Sequence, residues 1–207
     1  MTEDEARGWI AERFGVSRET KLATYAEILR AESINQNLVS AASLATIWSR
    51  HLLDSAQLLP LAETAGKGSW VDVGSGAGLP GLVVAVLSDW PTVLVEPRGR
   101  RVQFLRDAIS ILGLEAQVIV QPTRIETYKP SELASVISAR AVADLPGLLL
   151  STVHCTNSST VWLLPKGRTA HSEVEAAKTK WQGVFHVEPS ITQPESGIVV
   201  ARGVRPK

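Results

Sequence analysis

The segment Val71-Asp72-Val73-Gly74-Ser75-Gly76-Ala77-Gly78-Leu79-Pro80-Gly81 decides the fold of this chain. It begins in an apolar run typical of a short buried strand and ends in glycines at alternate positions. The apolar residues 82–87 then predict a helix. Glycines at a strand-to-helix turn let the backbone bend sharply and let a ligand approach it, and amides at the helix start offer donors to a polar group. The segment therefore predicts a loop that binds a nucleotide-type cofactor.

Two kinds of cofactor fit this loop. Gly76-x-Gly78-x-x-Gly81 matches the fingerprint of dinucleotide sites, whereas Gly74-x-Gly76-x-Gly78 behind Asp72 is typical of S-adenosylmethionine (AdoMet) sites. In both, an acidic residue that ends the next strand holds the ribose hydroxyls, and Glu96 has that position. Asp72 favours AdoMet, because a carboxylate there would meet an ammonium group that a dinucleotide lacks.

Length and composition narrow the class of protein. The 207 residues suffice for one domain with a full core, and their formal net charge is zero. Arginines outnumber lysines 14 to 7, which favours phosphate recognition. The single cysteine, Cys155, excludes an internal disulfide and fits a reducing cytoplasm, where we expect the protein. We expect no membrane span, because no apolar run approaches about 20 residues, and no metal site, because the histidines do not cluster with cysteine.

The order of the predicted elements indicates an α/β fold. Residues 1–66 are predicted to be a helical extension, which begins at a Thr2-x-x-Glu5 capping box and contains a helix from 44 to 59. Residues 67–207 are predicted to be the AdoMet-binding domain, in which strands and helices alternate as in a doubly wound, mostly parallel sheet. The predicted strands are 70–73, 92–96, 117–120, 135–139, 160–164, 184–188 and 197–202, and the predicted helices are 79–88, 99–112, 124–127, 145–154 and 169–181.

The end of the chain distinguishes between variants of this fold. No long helix is predicted between the last two strands, so they should form a hairpin with an antiparallel final strand. This arrangement is typical of the Rossmann-like class I AdoMet-dependent methyltransferase fold and not of the dehydrogenase fold.

Cationic residues concentrate where the ligand is expected. In such sheets ligands lie at the carboxyl ends of the strands, and Arg140 and Lys166 each follow or end a predicted strand. Positive charge also crowds the start of the helix after Glu96, where it opposes the helix dipole. The residues concerned are Arg98, Arg100, Arg101 and Arg106. The sequence leaves open whether these four are a solvated helix end or contact phosphate, and whether Arg140 is a structural ion-pair partner or a ligand of cofactor or substrate.

His51 and Asp54 lie about one helical turn apart in Ser49-Arg50-His51-Leu52-Leu53-Asp54-Ser55. This spacing allows the two side chains to pair. A hydrogen bond on a helix face is a commoner outcome of such spacing than a catalytic acid–base pair, so we expect the first.

Several segments resemble one family, the bacterial 16S ribosomal RNA guanine-N7 methyltransferases called RsmG or GidB. The most specific is Arg-His-Leu-Leu-Asp-Ser at 50–55 ahead of Gly-x-Gly-x-Gly-Leu-Pro-Gly at 74–81. The others are Asn37-Leu38-Val39-Ser40, Arg100-Arg101-Val102-Gln103-Phe104-Leu105, Arg140-Ala141-Val142-Ala143 and Leu164-Pro165-Lys166-Gly167. The resemblance implies AdoMet-dependent methylation of N7 of one guanine, of the guanine 527 type, in the decoding-region loop. The expected partner is then 16S rRNA or the small ribosomal subunit, and we expect a monomer.

The resemblance also implies roles for individual residues. Gly74 and Leu79 would line the methionine and ribose side of AdoMet, and Arg140 would lie between cofactor and substrate. Glu96 would bind the ribose, and Ile125 and Glu126 the adenine. With the loop, the expected cofactor-binding residues are Asp72, Gly74, Gly76, Gly78, Leu79, Glu96, Ile125, Glu126 and Arg140. The expected RNA-contacting residues are Arg98, Arg100, Arg101, Arg140, Lys166 and Arg168.

The chain departs from the family pattern outside the cofactor loop. Glu32-Ser33 stands where Trp-Asn is usual, Ser135 where Asp is common, and Glu195-Ser196-Gly197-Ile198 lacks an Arg-rich turn. The first and third departures bear on RNA contacts, and the second bears on packing at the strand end.

Chemistry of the implied reaction predicts no catalytic residue. Guanine N7 has an in-plane lone pair and no proton, so its methylation needs no general base. The remaining task is alignment of the reactants, which supplies several kcal/mol in effective-molarity arguments. Three other functions share parts of the pattern: a small-molecule methyltransferase, an NAD-dependent oxidoreductase and a non-enzymatic ribosome-binding factor.

Overall fold

The computed structural model describes all residues from 1 to 207, and its first third is helical. Helices α1 and α2 span Glu3–Phe14 and Val16–Glu32. Short segments follow: α3 at Ala41–Leu44, a π-helical turn at Trp48–Leu52, α4 at Leu53–Ala56 and α5 at Leu58–Leu61. The capping box is confirmed, since Thr2 and Glu5 exchange side-chain-to-backbone hydrogen bonds at the start of α1.

Strands and helices alternate from Trp70 onward. The strands are β1 at Trp70–Val73, β2 at Thr92–Val95, β3 at Val118–Gln121, β4 at Val136–Ala139, β5 at Val161–Lys166, β6 at Trp181–Pro189 and β7 at Gly197–Pro206. The helices are α6 at Gly81–Leu87, α7 at Gly99–Leu112, α8 at Leu145–Thr152 and α9 at Ala170–Lys178, with 3₁₀ turns at Ile125–Thr127 and Val153–Cys155.

The strands form one sheet in the order β3-β2-β1-β4-β5-β7-β6. The first five strands of that order are parallel, and β7 is antiparallel to both β5 and β6. This confirms the predicted Rossmann-like class I fold and its final hairpin. The order reverses between β1 and β4, and in open sheets of this kind the ligand crevice lies outside the carboxyl ends of the strands at that point.

The two faces of the sheet are covered by different elements. Trp70 faces a core that contains the buried side chains of α1, α2, α4, α6 and α7, whereas Val71 faces a core that contains α8 and α9. Buried residues of the extension, such as Leu22 and Leu52, therefore belong to the same apolar cluster as Leu82 of α6. The expected division at 66–67 falls between α5 and β1, but the extension packs as part of the main core and has no separate one.

The helix predicted from 44 to 59 is correct only in part, because residues 47–61 are helical but include a π turn at Trp48–Leu52 and a turn at Gln57. Before them, the backbone turns at Ala45. The reason is a contact from α1: the carboxylate of Glu3 accepts hydrogen bonds from the Trp48 and Ser49 amides, both at 2.9 Å. Those amides therefore begin a new helical segment instead of continuing an earlier one.

Helix α7 has the predicted bounds and is followed by Gly113, which is left-handed at φ 61°. The bounds of several other elements differ from the predicted ones by a few residues. Helix α9 ends before its predicted limit, because Trp181 pairs with Pro206 and starts β6. Strand β5 extends to Lys166, which therefore lies in the strand and not after it. No helix is both long and apolar enough to cross a lipid bilayer.

Candidate functional site

The glycine loop after β1 has left-handed backbone at three positions. The φ angles of Gly74, Gly76 and Gly78 are 63°, 56° and 85°, a region that costs other residues about 1–2 kcal/mol. A Cβ on Gly78 would collide with Leu82 and approach the Tyr25 hydroxyl, so this glycine is required by the core. A Cβ on Gly76 would meet only Arg101 Nη1 at 3.4 Å and the Gly74 carbonyl at 3.6 Å. The loop thus leaves room beside its backbone at Gly76 and packs tightly at Gly78.

Tyr25 of α2 supports the loop from the core side. Its side chain is fully buried, and its hydroxyl donates a hydrogen bond to the Ala77 carbonyl. Burial raises the pKa of Tyr25 far above its ordinary value, so the hydroxyl remains a donor. Sequence reasoning assigned Tyr25 only to an apolar helix face, because no local pattern relates it to a loop 52 residues away.

Glu96 directly follows β2 and lies beside the loop, within one residue of its predicted place at the strand end. Its carboxylate is almost fully buried and accepts hydrogen bonds from the amides of Gly76 and Arg98, both at 2.9 Å. A carboxylate has about four acceptor positions, so about two remain for further donors. Glu96 therefore both holds the loop and retains acceptor capacity toward a diol such as a ribose.

Asp72 lies behind the loop and has no solvent-accessible surface. One carboxylate oxygen accepts a hydrogen bond from Ser138 at 2.6 Å, whereas Oδ2 has no partner and lies 2.8 Å from the Cβ position of Gly81. Burial raises the pKa of Asp72 to about 6, and the hydrogen bond from Ser138 opposes that shift. The Oδ2 atom, at the start of α6, is buried without a partner. A cationic group bound near the loop would offset the free-energy cost of its lost hydration.

Arg140 follows β4 and contacts three residues of the extension, the first being Arg50, whose carbonyl lies 3.5 Å from Arg140 Nη1. The same Nη1 lies 3.1 Å from His51 Nδ1 and 3.6 Å from Asp54 Oδ2. The hydrogen bond expected between His51 and Asp54 is absent, since each contacts Arg140 instead, and His51 Nε2 lies 2.9 Å from Ser43 Oγ. Both alternatives for Arg140 are thus compatible with its position, because it is ion-paired and also lines a cleft.

That cleft has a volume of about 570 Å³ at the carboxyl ends of β4 and β5. One wall comes from the extension, including Arg50 and Ser43, and the other from residues 140–143 and the start of β7. Arg50 is exposed, lines the cleft and makes no ion pair, yet sequence reasoning did not select it. Its place as the first residue of the Arg-His-Leu-Leu-Asp-Ser segment could have indicated that Arg50 belongs to the site.

Lys166 and Arg168 have acidic partners. Lys166 Nζ lies 2.8 Å from Glu173 Oε2 and donates a hydrogen bond to the Ala143 carbonyl at 2.6 Å, while Arg168 pairs with Glu195. Lys166 is mostly buried in the cleft wall, and Arg168 is exposed. The Lys166 contact ties residues 140–143 to β5.

The remaining predicted residues do not line the cleft. Arg98 and Arg100 are exposed, Arg101 is half-buried beside Gly76, and none of these three makes an ion pair. Arg100 donates a hydrogen bond to the Asn35 carbonyl at 3.1 Å. Two further predicted residues follow β3: Ile125 is buried and Glu126 is exposed. Leu79 is buried in the core at the end of the loop.

These features fit AdoMet. Gly76 leaves space beside the backbone, the Glu96 carboxylate has free acceptor positions, and an unpartnered carboxylate oxygen lies behind the loop. No group of three or more His, Cys, Asp or Glu side chains could hold a metal ion. Together with the sheet order, the site defines an AdoMet-dependent methyltransferase of the class I fold.

Known proteins narrow this class to one family. The profile described as "GidB: rRNA small subunit methyltransferase G" matches residues 18–196. A ribosomal RNA small subunit methyltransferase G of Rhizorhabdus wittichii is 45% identical over 208 residues, covering 100% of this chain and 95% of that protein. The protein of the same name from Zymomonas mobilis subsp. mobilis is 40% identical over 216 residues, covering 100% and 96%. The chain belongs to the family of ribosomal RNA small subunit methyltransferase G.

A solved structure of a more distant protein supports the fold alone. The glycopeptide N-methyltransferase MtfA complexed with AdoMet has a TM-score of 0.59 and 9% sequence identity to this chain. The match covers 71% of this chain and 86% of that one.

Proposed function

We propose that this chain methylates N7 of one guanine in small-subunit ribosomal RNA, of the guanine 527 type in the decoding-region loop. The observation that supports this most is that the cofactor loop and the cleft are neighbours. A Cβ on Gly74 would lie 2.8 Å from Val142, and Ala141 and Ala143 line the cleft on the other side of the same segment. A base in the cleft would therefore lie next to a cofactor on the loop.

The cofactor is proposed to lie on the carboxyl ends of β1 and β2. Glu96 would accept hydrogen bonds from the ribose hydroxyls, and Ile125 and Glu126 would border the adenine. Arg140 would lie between the cofactor and the cleft. The negative charge of Asp72, behind the loop, would attract the ammonium group of AdoMet. Gly74, Gly76, Gly78 and Leu79 would shape the surface under it. AdoMet supplies an electrophilic methyl group at this place.

The chain contributes position and not proton transfer. Guanine N7 carries no proton, and both carboxylates of the cleft are already paired: Asp54 with Arg140, and Glu173 with Lys166. We therefore propose no residue of the chain as a catalytic acid or base. N7 and O6 of guanine are adjacent acceptors on the major-groove edge, so a guanidinium at the cleft would suit O6 or a flanking phosphate. Holding the base against the cofactor supplies the rate advantage.

We propose two groups of RNA contacts. The first comprises Arg98, Arg100 and Arg101, which have no ion-pair partner. The second comprises Arg140 and Lys166, which line the cleft, and Arg168, which follows β5. A contact of Lys166 or Arg168 with phosphate would compete with Glu173 or Glu195. The first group is therefore better supported. The remaining predictions are that the partner is 16S rRNA or the assembled small subunit, and that the protein acts in the cytoplasm as a monomer.

One experiment tests the proposed function directly. We expect that 16S rRNA from cells without this protein lacks a single 7-methylguanine, as mapped nucleotide by nucleotide, and that expression of the wild-type chain restores it. A Glu96→Ala variant should not restore it, because the ribose acceptor is lost, whereas Lys180→Ala, a change at an exposed lysine beyond α9, should. Identical 7-methylguanine maps with and without the protein would overturn the proposal.

A further inference from the structure

We propose that His51 is a positioning residue, whose neutral imidazole accepts a hydrogen bond from Arg140 and so holds the guanidinium at the boundary between cofactor loop and cleft. The inference deepens the proposed function and rests on it, because it assumes that Arg140 contacts cofactor or substrate. It assigns a role to the histidine of the Arg-His-Leu-Leu-Asp-Ser segment. His51 itself touches neither reacting partner in this assignment.

The contacts define the tautomer of the imidazole. A guanidinium has only donors, so His51 Nδ1, 3.1 Å from Arg140 Nη1, must be the acceptor of that hydrogen bond. The proton of the neutral ring then lies on Nε2, which is 2.9 Å from Ser43 Oγ and donates to it. Ser43 Oγ in turn donates to the Ser40 carbonyl at 2.9 Å. Arg140, His51 and Ser43 therefore each donate one hydrogen bond to the next acceptor, and no two donors face each other.

Burial and the charges around the ring keep it neutral. The charges of Arg140 and Arg50 favour the neutral ring, the charge of Glu3 on α1 opposes them, and Asp54 is paired with Arg140. Burial, with smaller contributions from the two arginines, lowers the pKa of His51 to about 4. A protonated ring would present an N–H to the guanidinium and break the contact, so the arrangement is stable at neutral pH.

Asp54 holds Arg140 from a second direction. Its Oδ2 lies 3.6 Å from Arg140 Nη1, and its Oδ1 accepts hydrogen bonds from Gln57 at 2.9 Å and from Thr192 at 2.8 Å. Gln57 is also bonded to Ser190, so the carboxylate is tied to the loop between β6 and β7. The guanidinium is therefore placed by groups from the helical extension that are themselves fixed, and such preorganisation lowers the entropy lost on binding.

Two isosteric substitutions separate positioning from bulk structure. In His51→Asn the amide oxygen can occupy the place of Nδ1 and accept from Arg140, whereas in His51→Gln the amide reaches the place of Nε2 and the acceptor is lost. For the purified full-length chain we would measure S-adenosylhomocysteine affinity by calorimetry, and KM and kcat for methyl transfer to small ribosomal subunits. Arg140→Met identifies which of these quantities Arg140 controls.

We expect His51→Gln to change the same quantity as Arg140→Met, by about tenfold, which is within the range of coupling between contacting residues. His51→Asn should stay close to wild type, and His51→Gln should add nothing in the Arg140→Met background. Equal effects of Asn and Gln, additive effects of His51→Gln and Arg140→Met, or no effect of Arg140→Met would each overturn the inference. Absence of methyl transfer by the wild-type chain would instead contradict the proposed function, and the affinity measurements would still test His51.

A measurement on the wild-type chain covers the case in which a variant fails to fold. In ¹⁵N spectra of histidine-labelled protein at pH 6, we expect His51 to be the neutral Nε2–H tautomer with Nδ1 as an acceptor. A doubly protonated ring or an Nδ1–H tautomer at that pH would overturn the inference.

Discussion

Two carboxylates beside the glycine loop show how strongly a single residue depends on its partners. Glu96 is nearly buried but accepts two backbone amides, whereas Asp72 is fully buried with one oxygen that has no partner. Ionised groups in such places are stabilised only as far as hydrogen bonds or opposite charges replace the lost water. In the protein without cofactor, ionisation of Asp72 should therefore lower the free energy of unfolding.

This difference predicts a pH dependence for Asp72→Asn. The pKa of Asp72 is raised from 3.8 to about 6 in the folded chain, so its contribution favours folding below about pH 4 and is lost as the pH rises toward 6. A shift of about two pKa units corresponds to about 3 kcal/mol. We expect the unfolding free energy of Asp72→Asn, relative to wild type, to increase between pH 4 and 6 in urea titrations.

The same variant tests the proposed role of Asp72 toward AdoMet. Removal of the charge should weaken AdoMet binding in calorimetry at pH 7, because an ammonium group loses its opposite charge. If the unfolding free energies of the two proteins changed in parallel between pH 4 and 6, burial would not disfavour the ionised form of Asp72. Unchanged affinity would show that Asp72 serves only the start of α6.

At the scale of elements, α2 is a support for the cofactor loop and not a separate appendage. The Tyr25 hydroxyl is bonded to the Ala77 carbonyl, and Leu22 and Leu29 of the same helix are fully buried in the core shared with α6. The loop needs such a support, because its left-handed glycines have few conformational restraints of their own.

We therefore expect Tyr25→Phe to lower both stability and cofactor affinity. The substitution leaves the buried Ala77 carbonyl without that donor, which costs about 1–3 kcal/mol in unfolding free energy. The control is Tyr128→Phe, because Tyr128 is also buried but its hydroxyl makes no hydrogen bond within the chain. Urea unfolding and AdoMet calorimetry check this prediction, and equal effects of the two substitutions would contradict it.

At the scale of the whole molecule, zero net charge conceals an uneven distribution. Arg98, Arg100 and Arg101 lie without ion-pair partners at the cofactor edge of the sheet. The basic end of the chain at 202–207 lies on β7, which starts at that edge and runs away from it toward the amino ends of the parallel strands. The cleft and this first group of arginines share one edge of the sheet, so an RNA bound along that edge would not meet the last residues of β7.

Replacement of Arg98 and Arg100 by Ala should weaken RNA binding and flatten its salt dependence. Each lost phosphate contact lowers the slope of log affinity against log salt by roughly 0.7–0.9. Arg101 is left in place because it lies beside Gly76, so AdoMet binding should stay close to wild type. Filter binding to 16S rRNA over a range of salt concentrations measures the slope.

The control for this experiment removes the same charge elsewhere. Lys180 and Lys207 are exposed at the opposite end of the sheet, where their backbones are hydrogen-bonded to each other. Replacing both by Ala should leave the slope unchanged. If the Arg98 and Arg100 variant keeps the wild-type slope, the phosphate contacts lie on another surface.

Local patterns were sufficient for much of this protein. The glycine loop, the acid at the end of β2, the alternation of strands and helices and the final hairpin could be predicted because each depends on residues close in sequence. The bounds of α7 were predicted for the same reason, since its stop is Gly113 itself. The cofactor class followed from Asp72 and the spacing of the glycines.

Other features depend on contacts between residues far apart in the chain. Glu3 interrupts the helix predicted over 44–59 from about 45 residues away, and Glu173 pairs with Lys166, which was expected to face phosphate. The site itself depends on Arg140 meeting His51 across 89 residues and on Tyr25 meeting Ala77 across 52. Hydrophobic periodicity specifies which face of an element is buried but not which polar group it will meet there. The sequence by itself therefore determined the fold and the kind of cofactor, whereas only tertiary packing decided which charges are paired and how the site is held in place.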